Sequence, residues 1–484
     1  MDKRLSKNLF LNVAYHILSL IVPFITAPYL GRVLEVENIG TYTYVQSISS
    51  YFVLFGTLGL SNYGNRCIAK VREDQYLRSK CFWEIYSMQL ITSATAFLFY
   101  ICYVLFFVSE SRIYFCTMIL YIAAMFVDAG WYFLGMEKFK VIVIRNVCIK
   151  VINLVSIFVF VKKQTDLLKY FIILAGGQMI SQLSFWPAVL SDIQWVKPSW
   201  RNVKEHFKPN IMLFVPVLAA SIYNIMDKVM IGAISSKSDL AYYDYANKIV
   251  EIPNIAFGAM GTVMLSRMSS LKNKNKNTAN DLIGYSIDIS CFIAIGAMFG
   301  ILAIATELVT VYYGNAFLPS AIILKLLCIV IPLYAWSNVI RMQYIIPESK
   351  DIVYITATVC GAVVNLIANF ILIPQMSSTG AAIGTLLAQL AVTIVFVKYA
   401  KNELPLMEYV IRNAPLLLSG LVMLCVIKTF QKIQTVSASS LILNIMIGIM
   451  TYVVTSVIFM RSQEKHFINV VIQKIKNSER KKVV

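Results

Sequence analysis

Apolar runs, each close to the length that crosses a lipid bilayer as a helix, follow one another along almost the whole chain. A spanning helix needs roughly 20 mainly apolar residues, because the hydrocarbon core is about 30 Å thick. We count fourteen such runs, at residues 9–30, 41–61, 82–108, 113–135, 141–161, 167–190, 209–234, 245–266, 284–309, 320–340, 351–373, 380–400, 413–430 and 439–460. The chain is therefore predicted to be an all-α polytopic membrane protein with about fourteen transmembrane helices.

The composition agrees with this prediction. Of 484 residues, 58% are hydrophobic and only 14% are charged, whereas a soluble protein carries about 25% charged residues. The nine cysteines are scattered and the three histidines lie far apart, so neither a compact metal site nor a CxxC redox motif is expected. No GxxxxGK[ST] phosphate loop occurs. We expect no cofactor, no metal and no enzymatic activity.

The basic residues behind the net charge of +18 are concentrated on one face of the predicted membrane topology. Because fourteen spans put both termini on one side, loops and adjoining span ends can be assigned to two faces. Of the 43 Lys and Arg residues, 31 fall on the side that carries the termini and 10 on the other. Basic residues stay on the cytoplasmic face, so both termini are predicted to be cytoplasmic, in a multi-pass protein of the inner or plasma membrane. Anionic lipids are the expected partners of this charge, and no nucleic acid is.

Part of the chain is repeated. The segment "YLGRVLEVENIGTYTYVQS" (29–47) resembles "MIGAISSKSDLAYYDYANK" (230–248), and "VCIKVINLVSIFVFV" (147–161) resembles "VCGAVVNLIANFILI" (359–373). A shift of 201 positions aligns Gly31 with Gly232, Tyr42 with Tyr243, Tyr44 with Tyr245, Ile48 with Ile249 and Arg66 with Arg267. We predict two parallel six-helix halves, 1–205 and 206–405, followed by two extra helices and a basic cytoplasmic tail in 406–484. Transporters built from parallel repeats move one half against the other.

Four stretches resemble the Wzx-type polysaccharide flippases of the multidrug/oligosaccharidyl-lipid/polysaccharide exporter superfamily. They are "GRVLEVENIGTYTYVQSISSYFVLFGTLGLSNYGNRCIAK", "FVDAGWYFLGMEKFKVIVIRN", "DKVMIGAISSKSDLAYYDYANKI" and "NLIANFILIPQMSSTGAAIGTLLAQ". The likeness covers roughly residues 5–400. Glu35 departs from it, since a small residue usually follows "GRVL" in that family.

This resemblance implies a flippase for polyprenyl-diphosphate-linked oligosaccharide repeat units that works by alternating access in surface polysaccharide biosynthesis. It also implies contact with the polysaccharide polymerase machinery. Two alternatives stay open. A multidrug or cation antiporter of the same superfamily would need a compact carboxylate cluster, whereas the acids here are scattered. A lipid II flippase typically carries arginine in the first span, where this chain has Asn12, His16 and prolines.

Ionisable residues inside apolar runs or at their ends are the candidate site residues, because a charge at the membrane centre costs at least about 2.5–3.5 kcal/mol without a cavity or partner. A diphosphate needs desolvated cations as charge-assisted partners. The candidate substrate-binding residues are Lys150, Lys228, Arg66, Arg267, Arg145, Lys248 and Arg341, and the counter-ion or coupling candidates are Asp128, Asp227, Glu251 and Asp288. Glu307 and Lys325 also lie inside runs.

These candidates have structural alternatives. Arg66, Arg267 and Arg341 lie near span ends and can extend to headgroups. Lys248 and Glu251, three residues apart, can pair with each other. Asp227 and Lys228 are adjacent, so their side chains diverge by about 100°. Lys150 is the strongest candidate, because it lies in the middle of its run with Asn146 and Asn153 on the same helix face. Trp131, Trp186 and Trp336 are interpreted as interfacial anchors.

Overall fold

The computed structural model describes residues 22–271 and 276–480, and this part of the chain is helical, without strands. The prediction of an all-α fold is thus confirmed. We number the helices in chain order. They are α1 (22–33), α2 (Val36–Thr57), α3 (Leu60–Val71), α4 (Gln75–Phe106), α5 (Arg112–Ala123), α6 (Gly130–Gly135), α7 (Phe139–Phe160), α8 (Leu167–Leu183), α9 (Trp186–Asp192), α10 (Trp200–Ile234), α11 (Lys237–Leu271), α12 (Lys276–Tyr313), α13 (Ser320–Leu327), α14 (Val330–Ile340), α15 (Asp351–Ala400), α16 (Leu406–Gln431) and α17 (Ala438–Arg480).

Ten helical segments of the described chain are long and apolar enough to cross a membrane, or up to eleven when the bent α10 is counted as one span. The chain is therefore a multi-pass membrane protein. The number fourteen stays a prediction, and most of its first run, 9–30, lies outside the described residues. Two predicted runs, 351–373 and 380–400, fall within α15, which is interrupted by non-helical backbone at Ser377 shortly after Pro374.

Several helices are broken where the sequence shows only an apolar run. The predicted span 113–135 consists of α5, a short 3₁₀ turn and α6, with Asp128 extended between them. Helix α10 bends by 51° between Trp200–Ile222 and Ile225–Ile234. At these breaks, backbone N–H and C=O groups lose their helical hydrogen bonds, and polar side chains can then bond to them.

The chain divides into two compact units. Unit 1 runs from the N-terminal side to Asp244 and includes Asn369–Ala381, while unit 2 contains Tyr245–Ala368 and the chain from Ala382 onward. The predicted repeat halves 1–205 and 206–405 stay a prediction, since packing and internal repetition are separate criteria.

The core of unit 1 is rich in aromatic side chains. Phe82 stacks on Trp131 with ring centroids 5.2 Å apart, and Phe133 stacks on Phe185 at 4.7 Å. Trp131 is only 2% exposed, and its indole N–H donates to Gln89 Oε1 at 3.0 Å. The prediction that Trp131 is an interfacial anchor is therefore wrong, because a ring buried this deeply cannot reach a headgroup.

The repeated segments contact each other inside unit 1. A Cβ on Gly40 would lie 1.6 Å from the carbonyl oxygen of Lys237, and a Cβ on Gly232 would lie 2.3 Å from the ring of Tyr44. The ammonium of Lys237 lies 3.3 Å from the centroid of the Tyr44 ring. Glycine in each copy thus allows close approach of the other copy.

Unit 2 is built around α12. A cluster of buried side chains from α12, α14, α15, α16 and α17 includes Ile287, Ile340, Phe396, Leu416 and Met423. Tyr452 of α17 donates from its hydroxyl to the carbonyl of Phe292 at 2.8 Å. The two C-terminal helices are therefore packed into this unit through α12.

Candidate functional site

The turn between α10 and α11 positions a polar cluster in unit 1. Ser235 and Ser236 donate to Asp239 Oδ2 at 2.6 and 2.7 Å, and Ser236 Oγ accepts from the backbone N–H of Asp239 at 3.0 Å. This capped two-residue turn sets the register of the antiparallel helices. As a result, residues 227 and 228 lie opposite residues 243 and 244.

Asp227 is the most buried acid of this cluster. Its side chain is 2% exposed, and it accepts hydrogen bonds from the Tyr243 hydroxyl and from Asn369 Nδ2, both at 2.6 Å. Each donor uses a different carboxylate oxygen. Asp227 therefore links α10 to α11. It also links α10 to the part of α15 that belongs to unit 1, although Asn369 lies 142 residues away in the sequence.

Lys228 has a strong local partner. Its Nζ lies 2.6 Å from Asp244 Oδ1, and the side chains of Lys228 and Asp244 are 22% and 5% exposed. Asp227 and Lys228 thus point to different partners, as their adjacency predicts. The three ionisable side chains carry a formal charge of −1. An anionic ligand at Lys228 has to compete with Asp244, so the cation is available only if that pair opens.

Arg145 on α7 is held against α8. Its guanidinium donates to the Ser181 carbonyl at 3.0 Å and to Gln182 Oε1 at 2.9 Å, and it stacks 3.8 Å over the Phe185 ring. It also donates to Asn146 Oδ1 at 2.5 Å. This planar cation is therefore fixed in direction by a neighbouring helix.

Lys150 lies on the same helix, half-buried, between Asn146 and Asn153. A Cβ on Gly177 would lie 2.3 Å from Asn153 Oδ1, so this end of the polar stripe packs against α8. The predicted stripe is present on α7, but part of it serves helix packing.

The remaining candidates of unit 1 have simpler surroundings. Arg66 is exposed on the short helix α3, which begins after the left-handed Leu58 and is separate from α2. Asp128 accepts from the Gly130 N–H at 2.9 Å, and its own carbonyl accepts from Gln89 Nε2 at 2.9 Å. Asp128 therefore caps the break between α5 and α6.

The candidates of unit 2 are spread over three helices. Lys248 lies 4.3 Å over the Tyr245 ring, and Glu251 accepts from Asn247 Nδ2 at 2.7 Å. Arg341 donates to Asn338 Oδ1 at 2.8 Å. Arg267, in the last part of α11, is exposed.

Asp288 has a bidentate partner that the sequence did not reveal. Arg412 Nη2 lies 2.7 Å from Asp288 Oδ2, and its Nε donates to Oδ1 at 3.0 Å. Asn413 Nδ2 also donates to Oδ1, at 2.8 Å. This geometry joins α12 to α16 and gives Asp288 a structural role in unit 2.

Three residues of the cluster at the α10–α11 turn are absent from the candidates predicted from the sequence, namely Tyr243, Asp244 and Asn369. A signal existed for two of them, because a helical hairpin with a two-residue turn at 235–236 brings residues 227 and 228 close to residues 243 and 244. No local pattern could identify Asn369, which lies 142 residues from Asp227.

The chain is also similar in sequence to known proteins. Residues 5–272 match the family model described as "Polysaccharide biosynthesis protein". The chain is 22% identical over 390 residues to the "Putative O-antigen transporter" of Escherichia coli (strain K12), covering 79% of this chain and 93% of that protein. It is 24% identical over 283 residues to the "Probable low-salt glycan biosynthesis flippase Agl15" of Haloferax volcanii, covering 57% and 58%.

The fold is also similar to a solved structure. It matches "Lipid II flippase MurJ, inward closed conformation" with a TM-score of 0.75 and 17% identity, over 94% of this chain and 98% of that one. At this identity the likeness concerns the fold alone. The two chains therefore share an all-helical fold along nearly their whole length.

Proposed function

The chain belongs to the polysaccharide biosynthesis protein family, and from this premise we propose that it is a flippase for lipid-linked oligosaccharides. The observation that carries the proposal is the match to a relative named an O-antigen transporter over 93% of that relative's length. A second relative is named a glycan biosynthesis flippase. The fold supports the same conclusion, because it is that of a solved flippase.

The substrate we propose is an oligosaccharide joined to a polyprenyl diphosphate. Its prenyl chain can remain among lipid tails, so only the diphosphate and sugars need a polar route. Anionic oxygens need charge-assisted partners in a medium of low dielectric constant. We assign this role to Lys150 and Arg145 of α7 and to Lys228 of α10, with Lys248, Arg66, Arg267 and Arg341 as further cations along the route.

Lys228 is proposed to act conditionally. Its ion pair with Asp244 at 2.6 Å neutralises the cation in the present conformation, so the substrate diphosphate would replace Asp244 as its partner. A ligand shifts a conformational equilibrium only by its differential affinity for the two states. Opening of the Lys228–Asp244 pair would give the substrate a different affinity for the two states. Asp227 and Asp244 would then be the counter-charges of Lys228.

Topology and mechanism complete the proposal. Both termini are cytoplasmic, as the excess of Lys and Arg on that face supports. The repeat halves 1–205 and 206–405 alternate access, with 406–484 appended. No covalent step is required of the chain, and the polysaccharide polymerase machinery would receive the translocated unit.

Deletion of the gene in its source strain tests this function. We expect lipid-linked repeat units to accumulate in the cytoplasmic leaflet and surface polysaccharide to be lost, with both restored by the wild-type gene. Normal glycan with altered dye efflux would instead indicate a drug exporter. Accumulation of lipid II with normal repeat-unit export would indicate a peptidoglycan flippase.

A further inference from the structure

Two cysteines of unit 1 meet across the hairpin formed by α3 and α4, although the sequence shows no CxxC motif. Cys67 lies on α3 and Cys81 on α4, both are half-buried, and each thiol is the hydrogen-bond partner of the other. Asp74 caps the start of α4, where its side chain accepts from the Leu77 N–H at 2.9 Å. A short, capped connection between two regular helices therefore brings the two thiols together.

The packing of α3 keeps this arrangement in place. A Cβ on Gly64 of α3 would lie 2.5 Å from the Trp131 ring, and a Cβ on Gly135 of α6 would lie 2.6 Å from Ile68. Helix α3 thus lies closely against α6, and both cysteines pack against the aromatic core of unit 1. Because α3 cannot turn about its axis without a clash, the face that carries the cysteine stays directed toward α4.

Cys67 has the surroundings of a reactive thiol. Among the described helices, α3 is not one of those long and apolar enough to cross a membrane. Hydrogen bonding by the Cys81 thiol lowers the pKa of Cys67, and burial opposes this only in part. The Tyr63 hydroxyl and the nearby cations of Arg66 and Lys70 lower it further. Since the thiolate is the nucleophilic form of cysteine, Cys67 is the member of the pair that attacks.

A proton donor lies beside Cys67. The hydroxyl of Tyr63 interacts with the Cys67 sulfur and also lies 2.6 Å from His206 Nδ1. The other ring nitrogen of His206, Nε2, lies 3.6 Å from Glu84 Oε2. The Tyr63 hydroxyl can therefore turn its hydrogen toward the sulfur or toward the imidazole, and it can give a proton to a group that leaves from Cys67.

We propose that Cys67 and Cys81 form a redox-sensitive thiol pair that hydrogen peroxide converts into a disulfide. The Cys67 thiolate attacks one oxygen of the peroxide, the O–O bond breaks, and a sulfenic acid forms on Cys67 while hydroxide leaves and takes up a proton. The Cys81 sulfur then attacks the sulfenic sulfur, so that the S–O bond breaks, the S–S bond forms and a second water leaves with the thiol proton. In sum, two thiols are oxidised by two electrons and the peroxide is reduced to two waters.

The disulfide is proposed to be reversible. Residues 62–81 lie on the cytoplasmic face in the topology proposed above, and disulfides in the cytosol are usually transient and catalytic or redox-sensing. A cellular dithiol can reduce the bond again by thiol–disulfide exchange. Oxidation would therefore replace a hydrogen bond between α3 and α4 by a covalent link, for as long as the cytoplasm is oxidising.

Mass spectrometry of the purified full-length protein in lipid nanodiscs tests this proposal. The reduced protein is treated with hydrogen peroxide at neutral pH, the remaining thiols are alkylated, and the peptides are mapped without reduction. We expect linked peptides that contain Cys67 and Cys81 and that dithiothreitol separates, whereas Cys148, an exposed cysteine of α7, stays alkylated. Free thiols at both Cys67 and Cys81, or equal oxidation of Cys148, would overturn the proposal.

Single variants then test the order of the two steps. In Cys81→Ser the sulfenic acid has no second thiol to react with, so we expect dimedone to label Cys67, whereas Cys67→Ser should leave Cys81 unlabelled. Equal labelling of the two variants would contradict the role of Cys67. Tyr63→Phe should form the linked peptides more slowly than the wild type, and an equal rate would contradict the role of Tyr63.

The test does not depend on these variants or on the proposed function. The linked peptides are measured in the wild-type protein, so a variant that fails to fold leaves the main result in place. No glycolipid is present in the measurement. A failure to form the disulfide would therefore leave the assignment as a flippase untouched, and a failure of the flippase assignment would leave the thiol chemistry untouched.

Discussion

Lys228 Nζ and Asp244 Oδ1 lie 2.6 Å apart across the turn between α10 and α11, in a pair whose aspartate is only 5% exposed. The neighbouring residues Asp227 and Tyr243 form a parallel contact of the same length. A single helical hairpin therefore creates both contacts, and their partners Tyr243 and Asp244 belong to the repeated segment 230–248.

Breaking this ion pair should have unequal effects on its two members. Lys228→Met leaves Asp244 buried without its cation, whereas Asp244→Asn leaves a lysine that can still reach water. Removing one partner of a buried ion pair lowers the free energy of unfolding by about 3–5 kcal/mol. We expect a loss near the lower end of this range for Lys228→Met and a smaller loss for Asp244→Asn.

Thermal unfolding of the purified variants measures this difference. The double variant Lys228→Met with Asp244→Asn should recover part of the Tm lost by Lys228→Met, because neither side chain of the pair then carries a charge. Strict additivity of the two single losses would show that the residues do not interact.

The Tyr243 hydroxyl should contribute to stability through Asp227. Tyr243→Phe removes one donor from a carboxylate that is 2% exposed, and an unsatisfied buried group costs about 1–3 kcal/mol. We expect a lower Tm for Tyr243→Phe and an unchanged Tm for Tyr76→Phe, whose ring is 60% exposed. An equal Tm for Tyr243→Phe and Tyr76→Phe would show that the Tyr243 hydroxyl does not contribute to stability.

Gly40 should tolerate no side chain. Because a Cβ would lie 1.6 Å from the Lys237 carbonyl, Gly40→Ala must push apart the two repeated segments, and we expect a marked fall in Tm. The control is Gly258→Ala on α11, where no atom lies within 4 Å of the new Cβ. That change should be neutral or stabilising by up to about 1 kcal/mol, because alanine favours helix. Similar effects at both sites would contradict the packing argument.

Lys150 should be required for transport and not for folding. Lys150→Ala removes a half-buried cation from α7, so surface polysaccharide should fall to the level of the deletion strain while membrane protein abundance stays normal. Lys140→Ala, at an exposed lysine of the same helix, should export normally, and Lys150→Arg should restore part of the export. Full export by Lys150→Ala would remove Lys150 from the substrate route.

The length of the apolar runs was enough to predict helices, because a backbone in lipid must satisfy its own hydrogen bonds. It also located the interruption of α15 near Pro374. The breaks at Asp128 and in α10 could not be predicted, since they depend on which tertiary partner replaces the helical bond. Trp131 was misinterpreted for a related reason, because an apolar run does not distinguish a face toward lipid from a face toward protein.

The charged candidates illustrate the same limit. Their presence in or near apolar runs indicates that such residues need partners or a cavity, but it does not identify a partner that is distant in sequence. Arg412 pairs with Asp288 across 124 residues, and Asn369 reaches Asp227 across 142. Only contacts across a short turn, such as that between Lys228 and Asp244, could have been inferred from spacing.

Translocation by the purified protein is the most direct test of the central claim. Proteoliposomes would contain a labelled polyprenyl-diphosphate oligosaccharide, and a membrane-impermeant reagent would measure the fraction of label exposed on the outer leaflet with time. We predict that the wild-type protein makes the inner pool of label accessible and that Lys150→Ala does not. Label that stays as inaccessible as in protein-free vesicles would contradict the assignment as a flippase.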